Sequence, residues 1–143
     1  MAIKQVSITL ENMPGTLMDI SERLGVEGIN IRAISVSEAG KAAAVRFVTD
    51  HPAKTMNVLR SVGFEAAEKD VIAVEVPDHP GGLVAVLKPL KAAGINVLYL
   101  YPYLGRGESG QAIVIVAVDK TREAVSALKK DWVRTFGPEI YAL

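Results

Sequence analysis

Two short segments carry residue types that could hold a small polar molecule: Asn12-Met13-Pro14-Gly15 and Gly28-Ile29-Asn30-Ile31. An asparagine amide offers an oxygen that accepts from an ammonium group and an NH2 that donates to a carboxylate. Pro14 suits the opening turn of a helix, where its missing N–H costs nothing. The first amide groups of such a helix have no intrahelical partner, and the positive end of the helix dipole lies beside them. Together they form a seat for a carboxylate. A glycine at position 15 lets a ligand come close to the backbone. A free amino acid needs that combination, donors for its carboxylate and acceptors for its amine. Both asparagines equally suit a plain structural role, Asn12 as a helix cap and Asn30 as a cap on the turn before a strand.

Other chemistry finds less support. Asp78 and His79 are neighbours in sequence, but adjacent side chains need not converge, and no serine sits in a nucleophile-elbow context. His51 precedes Pro52 at a helix start and reads as a capping or exposed residue. Gly105 to Gly110 lacks the Lys-Ser/Thr signature of a phosphate loop and reads as a flexible hairpin insert. With no cysteine and only two histidines, sulfur-based zinc sites, thiolate nucleophiles and multi-histidine metal sites are excluded. No cofactor and no metal are expected, and no enzyme is visible. The 16 basic and 16 acidic side chains cancel, which removes the usual argument for nucleic acid. The longest wholly apolar run, Ala112 to Val118, is seven residues, against the roughly 20 that a membrane helix needs. Half of the 143 residues are hydrophobic and 22% are charged, a globular composition. A soluble, cytoplasmic protein without a membrane partner is the expectation.

The elements that must position these segments are written twice. Asn12-Met13-Pro14-Gly15 returns as Asp78-His79-Pro80-Gly81, and Gly28-Ile29-Asn30-Ile31 as Gly94-Ile95-Asn96-Val97, both shifted by 66. Later positions, Asp50 with Asp119 and Leu59 with Leu128, are shifted by 69, so three extra residues fall in the Gly105–Gly110 loop. Each half reads strand, helix, strand, strand, helix, strand. Ile3 to Leu10 alternates, Leu17, Ile20 and Leu24 form one helical stripe, and Ile31–Ser37 and Ala43–Thr49 flank a Glu38-Ala39-Gly40 turn. Pro52 opens a second helix that Gly63 closes, and Phe64 to Lys69 reads as a fourth strand leading into the next half without a linker. A βαββαβ order with right-handed crossovers implies an antiparallel four-stranded sheet, order 2-3-1-4, with both helices on one face. The expected fold is therefore α+β, two ferredoxin-like domains over residues 1–69 and 70–143, packed together without a hinge.

Three departures from the repeat carry expectations. Pro89, where the first half has Arg23, predicts a kink or an early helix end. Trp132, where the first half has Gly63, predicts a different end to the last helix. The tail Pro138–Leu143 has no counterpart and reads as a short helical cap over an edge. In addition, Tyr99, Tyr101 and Tyr103 share one face of a strand, opposite Leu98, Leu100 and Pro102. That face is either a partner surface or packed inside the protein with its hydroxyls at the rim. So aromatic an edge strand calls for cover, and a homodimer is expected.

The paired halves, the Asn-x-Pro-Gly turn and the Gly-Ile-Asn-Ile segment resemble ACT domains, regulatory modules that bind amino acids between paired copies. The likeness spans essentially the whole chain and is nearest to free-standing tandem forms. The turn and the asparagine stand 15 residues apart in both halves, Gly15 to Asn30 and Gly81 to Asn96. The resemblance implies a ligand site drawn from Leu10, Asn12, Met13, Pro14, Gly15 and Thr16 on one copy. Asn30 with Ile31, or Asn96, would come from the other, with Asp78 and Gly81 forming a second, altered turn. In serine-binding members a histidine stands where this chain has Leu10 and Val76, which implies a ligand with a small or apolar side chain. Asp78 in place of asparagine attracts an ammonium but repels a carboxylate, implying a weakened or differently selective second turn. The implied function is a non-catalytic amino-acid sensor acting on a metabolic enzyme encoded elsewhere. The alternative is a protein–protein interaction module whose turns are empty.

Overall fold

The computed structural model describes every residue except Ser109, in the glycine-rich insert, and Leu143, at the end of the tail. The chain divides into two compact units, Lys4–Lys69 and Met1–Ile3 with Asp70–Leu143. Both are ferredoxin-like repeats with antiparallel sheets.

In the first, β1 (Ile3–Glu11), α1 (Thr16–Val26), β2 (Ile31–Ala39), β3 (Ala42–Thr49) and α2 (Pro52–Ser61) follow one another. β3 is central to β2-β3-β1, with Val6 opposite Phe47, Leu10 opposite Ala43 and Val36 opposite Val45. The alternation of β1 sends Val6, Ile8 and Leu10 to one face, where they pack on Ile20, Leu24 and Leu59 from the helices. Pro52 opens α2 as expected, and the buried Thr49 and Thr55 hydroxyls meet 2.8 Å apart beneath its first turn. The fourth strand is not separate: Ala67–Lys69 begin β4 (Ala67–Val76), a single strand that runs on into the second unit.

The second unit continues with α3 (Val84–Ala92), β5 (Val97–Pro102), β6 (Ala112–Val118), α4 (Thr121–Lys130) and the two-residue β7 (Thr135–Phe136). Its strands lie in the order β5-β6-β4-β7, the expected 2-3-1-4 arrangement. Ile72, Val74, Val86, Leu90, Val116 and Leu128 build its core. One device recurs in both units. The Asn30 amide donates to the Asp50 carboxylate at 2.9 Å while the Asp50 amide donates back to the Asn30 carbonyl at 3.1 Å. Asn96 and Asp119 repeat it at 3.0 and 3.1 Å.

The departures resolve as follows. Pro89 does not end α3 early. The helix reaches Ala92, the equivalent of Val26 in α1, and the Ala93 amide still donates to the Pro89 carbonyl. Proline removes only its own donor, and burial of Pro89 and Leu90 holds the turn in place. Trp132 also leaves the helix end unchanged. Gly63 and Trp132 take left-handed φ of 95° and 60°, and each donates to the carbonyl three residues back, Arg60 or Lys129. Phe64 and Val133 then reach Leu59 and Leu128 identically. Tryptophan has adopted the glycine conformation rather than altering the cap. The tail is a 3₁₀ helix, Pro138–Ala142, anchored by the fully buried Ile140. The Gly137 amide donates to the Glu139 carboxylate, and this bond with Glu139's own amide holds that carboxyl below its ordinary range.

The tyrosine face is packed inside the protein. Tyr101 and Tyr103 are buried, and the Tyr103 hydroxyl donates to the Ile140 carbonyl at 2.9 Å. The opposite side is what β5 exposes: Leu98 and Leu100 are 46% and 38% exposed, and Leu104 beyond them 66%.

Candidate ligand-binding site

The turn between β1 and α1 is the best-formed candidate. β1 ends at Glu11, the Asn12 amide donates to Lys41, and Met13 donates back to Glu11. Gly15 then takes φ 90°, a left-handed conformation that glycine adopts without strain, and α1 starts at Thr16. Pro14 therefore precedes the helix rather than opening it. No side chain caps α1, so Asn12 is not serving as a helix cap. The Thr16 hydroxyl instead closes the turn, donating to the carbonyls of Glu11 at 2.9 Å and Met13 at 3.0 Å. Asn12, Met13, Pro14 and Gly15 are all exposed. This leaves uncapped helix amides beside an exposed carboxamide, which suits a carboxylate with an adjoining amine.

Asn30 is also exposed, and its backbone rather than its side chain makes the clip with Asp50. Ile31, half-buried, packs on the core. Asn12 and Asn30 do not meet within one unit. Glu11 lies opposite Ala42 at the start of β3, whereas Ile31 lies opposite Thr49 at its end. Seven strand steps separate those ends, roughly 23 Å at about 3.3 Å each. Leu10 is buried at 4% exposure in the first core and, with Thr16, lines a cleft beside α1; Val76 is likewise buried.

The second turn is built differently. Asp78 pairs with Arg106 from the insert at 3.4 Å, and its amide reaches the Gln111 side chain. Arg106 also donates to the Gly110 carbonyl at 3.0 Å. The insert expected to be a flexible hairpin is thus tied to the turn, although its Ser109 lies outside the described residues. Gly81 has φ 78° and an exposed, open surround, and Asn96 is exposed. At Gly82, the counterpart of Thr16, the Pro77 carbonyl fills the space a β-carbon would need. His79 bonds the Pro80 carbonyl through Nδ1, so Asp78 and His79 do not converge. His51 lies 3.8 Å from Asp50, is 60% exposed and caps nothing. Among the described residues no cluster could hold a metal, and no helix is long and apolar enough to cross a membrane.

Sequence reasoning missed Thr16 as the residue closing the first turn and Arg106 as the partner of Asp78. The signal for the second was present, because the three extra residues had to lie near some part of the repeat.

A family profile described as an ACT domain pair matches residues 1–136. The chain belongs to this family. ACT domains are regulatory modules, and both repeats carry the family fold. Protein BT0572 from Bacteroides thetaiotaomicron superposes with a TM-score of 0.91 at 29% identity, covering 100% of this chain and 98% of that one. The ligand-free regulatory subunit of aspartate kinase from Thermus thermophilus gives 0.65 at 15% identity over 90% and 92% of the two chains. The aspartokinase alpha and beta subunits give 0.56 at 16% identity, over 92% and 96%. No curated protein sequence matches this ACT pair.

Proposed function

We propose that this ACT pair is a non-catalytic, cytoplasmic sensor of a free amino acid with a small or apolar side chain. The observation that carries the reading is the uncapped, exposed Asn12–Gly15 turn in front of α1. A ligand carboxylate takes the amides of the first helical turn, and the Asn12 carboxamide oxygen accepts from the ammonium. Because Asn12 and Asn30 lie at opposite ends of β3, the second asparagine comes from another copy of the chain. Two-fold pairing of edge strands runs them antiparallel, which sets the start of one strand beside the end of its neighbour. Asn30 or Asn96 of the second copy then reaches the first copy's turn. The exposed Leu98 and Leu100 on edge strand β5 support a homodimer. A ligand that binds one arrangement of copies better shifts the assembly toward it, and that shift is the signal to a partner enzyme.

The test is a thermal-shift screen of the twenty amino acids, with light scattering of the free and loaded protein. A ligand at 100 times its dissociation constant adds about 2.7 kcal/mol of stability. Asn12→Ala is expected to weaken that response about tenfold, equivalent to about 1.4 kcal/mol. A dimer that melts identically with every amino acid overturns sensing and favours an interaction module with empty turns. A monomer under all conditions removes the shared site.

A further inference from the structure

We infer that the first unit holds a second ligand site, a cleft on the α2-facing side of α1 that takes an apolar amino acid without help from another copy. The cleft has a volume of about 440 Å³. Its floor is Leu10, Ile20, Phe64 and the half-open Val62, and its rim is Glu11, Thr16, Asp19 and Arg23. The four α1 residues, Thr16, Asp19, Ile20 and Arg23, stand at i, i+3, i+4 and i+7 and therefore share one helical face. Val62 and Phe64 close it from the chain just after α2.

The rim carries both signs of charge, and no described residue pairs with the side chains of Glu11, Asp19 or Arg23. Asp19 and Arg23 stand at the i, i+4 spacing of an intrahelical ion pair, yet no such pair is formed. A guanidinium takes a carboxylate in a two-pronged grip, and two carboxylates nearby receive an ammonium. The apolar floor between them fits a branched aliphatic side chain. Only a dipolar molecule with an apolar body satisfies all three. A bare carboxylic acid meets two repelling carboxylates, and a bare amine leaves Arg23 unused.

The repeat supplies an independent contrast. At the matching positions of the second unit Leu10, Ile20 and Phe64 become Val76, Val86 and Val133, but Val62 becomes Asp131 and the rim is replaced: Glu11, Thr16, Asp19 and Arg23 become Pro77, Gly82, Ala85 and Pro89. The Pro77 carbonyl moreover occupies the space beside Gly82 where the Thr16 side chain stands in the first unit. The same helix face is packed in both units, so packing alone does not call for this set of polar groups.

The experiment is an NMR titration of the full chain with L-leucine, with 3-methylbutylamine and 4-methylpentanoate as the decarboxylated and deaminated comparators. Saturable shifts of the Ile20, Arg23, Val62 and Phe64 amides are expected with L-leucine, at least tenfold weaker binding with either comparator, and a similar loss in Arg23→Gln. Asn12→Ala is expected to leave these shifts in place. Shifts confined to Asn12–Gly15 and Asn30 overturn the cleft while leaving the paired-copy sensor standing. Unchanged leucine binding in Arg23→Gln, or no saturable shift at millimolar leucine, also overturns it. Cleft shifts in a chain that stays monomeric support the cleft and count against the shared site instead.

Discussion

The turns before α1 and α3 occupy the same place in the repeat, yet their closure differs. The first is closed by a side chain, Thr16, whose hydroxyl spans the Glu11 and Met13 carbonyls and leaves Asn12 exposed. The second is closed by backbone, with the Pro77 carbonyl against Gly82, and its acidic residue is already matched by Arg106. Side-chain closure leaves the surrounding polar groups available to a ligand, whereas the second turn satisfies its own charge. A repeated fold need not mean a repeated site. The packing is shared, and the rim chemistry is not.

The largest test of that division removes a core leucine from each unit. Leu24 and Leu90 sit at equivalent positions and are 0% and 1% exposed. Leu24→Ala and Leu90→Ala are each expected to cost about 2–5 kcal/mol, transfer and cavity terms together. Chemical denaturation of the two variants should give losses within about 1 kcal/mol of each other, because both sites are equally buried. A much smaller loss at Leu24 would mean that the first unit is already loosened around its cleft, and the claim of equivalent cores would fail.

The repeat made the fold legible. Strand alternation, the Leu17–Leu24 stripe and constant shifts of 66 and 69 are enough to give the element order. The recurrence of Asn30 as Asn96 was readable for the same reason. What could not be read depended on backbone geometry or on contacts distant in the chain. Pro14 carries the signature of a helix start, but the left-handed Gly15 follows it and the helix begins two residues later, at Thr16. Period two shows that Tyr99, Tyr101 and Tyr103 share a face, but not which face of the sheet is covered. Arg23 reads as an ordinary solvated helix charge. Only the meeting of α1 with the segment after α2 puts it over Val62 and Phe64.

A smaller effect is expected where the two halves share a helix end but not a residue. A side chain in the left-handed region costs about 1–2 kcal/mol, so Gly63→Ala should destabilise by about that amount. Trp132, 94% exposed, has little contact to offset the same strain. Trp132→Gly should therefore raise stability by about 0.5–1 kcal/mol, after allowing for the greater chain entropy of glycine. Melting curves of the two variants should move in opposite directions. If Trp132→Gly loses stability, the tryptophan is held by a contact that a single copy does not contain.

The smallest expected effect concerns how the second turn is held. The Arg106 and Asp78 side chains are 58% and 65% exposed, so water screens their attraction, and such pairs contribute about 0.2–1 kcal/mol. Arg106→Ala should lower global stability by no more than about 0.5 kcal/mol, because the backbone bonds from Gly82 to His79 and from His79 to Pro77 remain. Its local signature should be sharper. Amide exchange at Asp78 should quicken, since both its carboxylate partner and the insert that leads into Gln111 are released, while exchange across Asn12–Thr16 stays unchanged. If the first turn responds as well, the two turns are coupled, and a turn closed by its own backbone and one closed by a side chain are no longer independent sites.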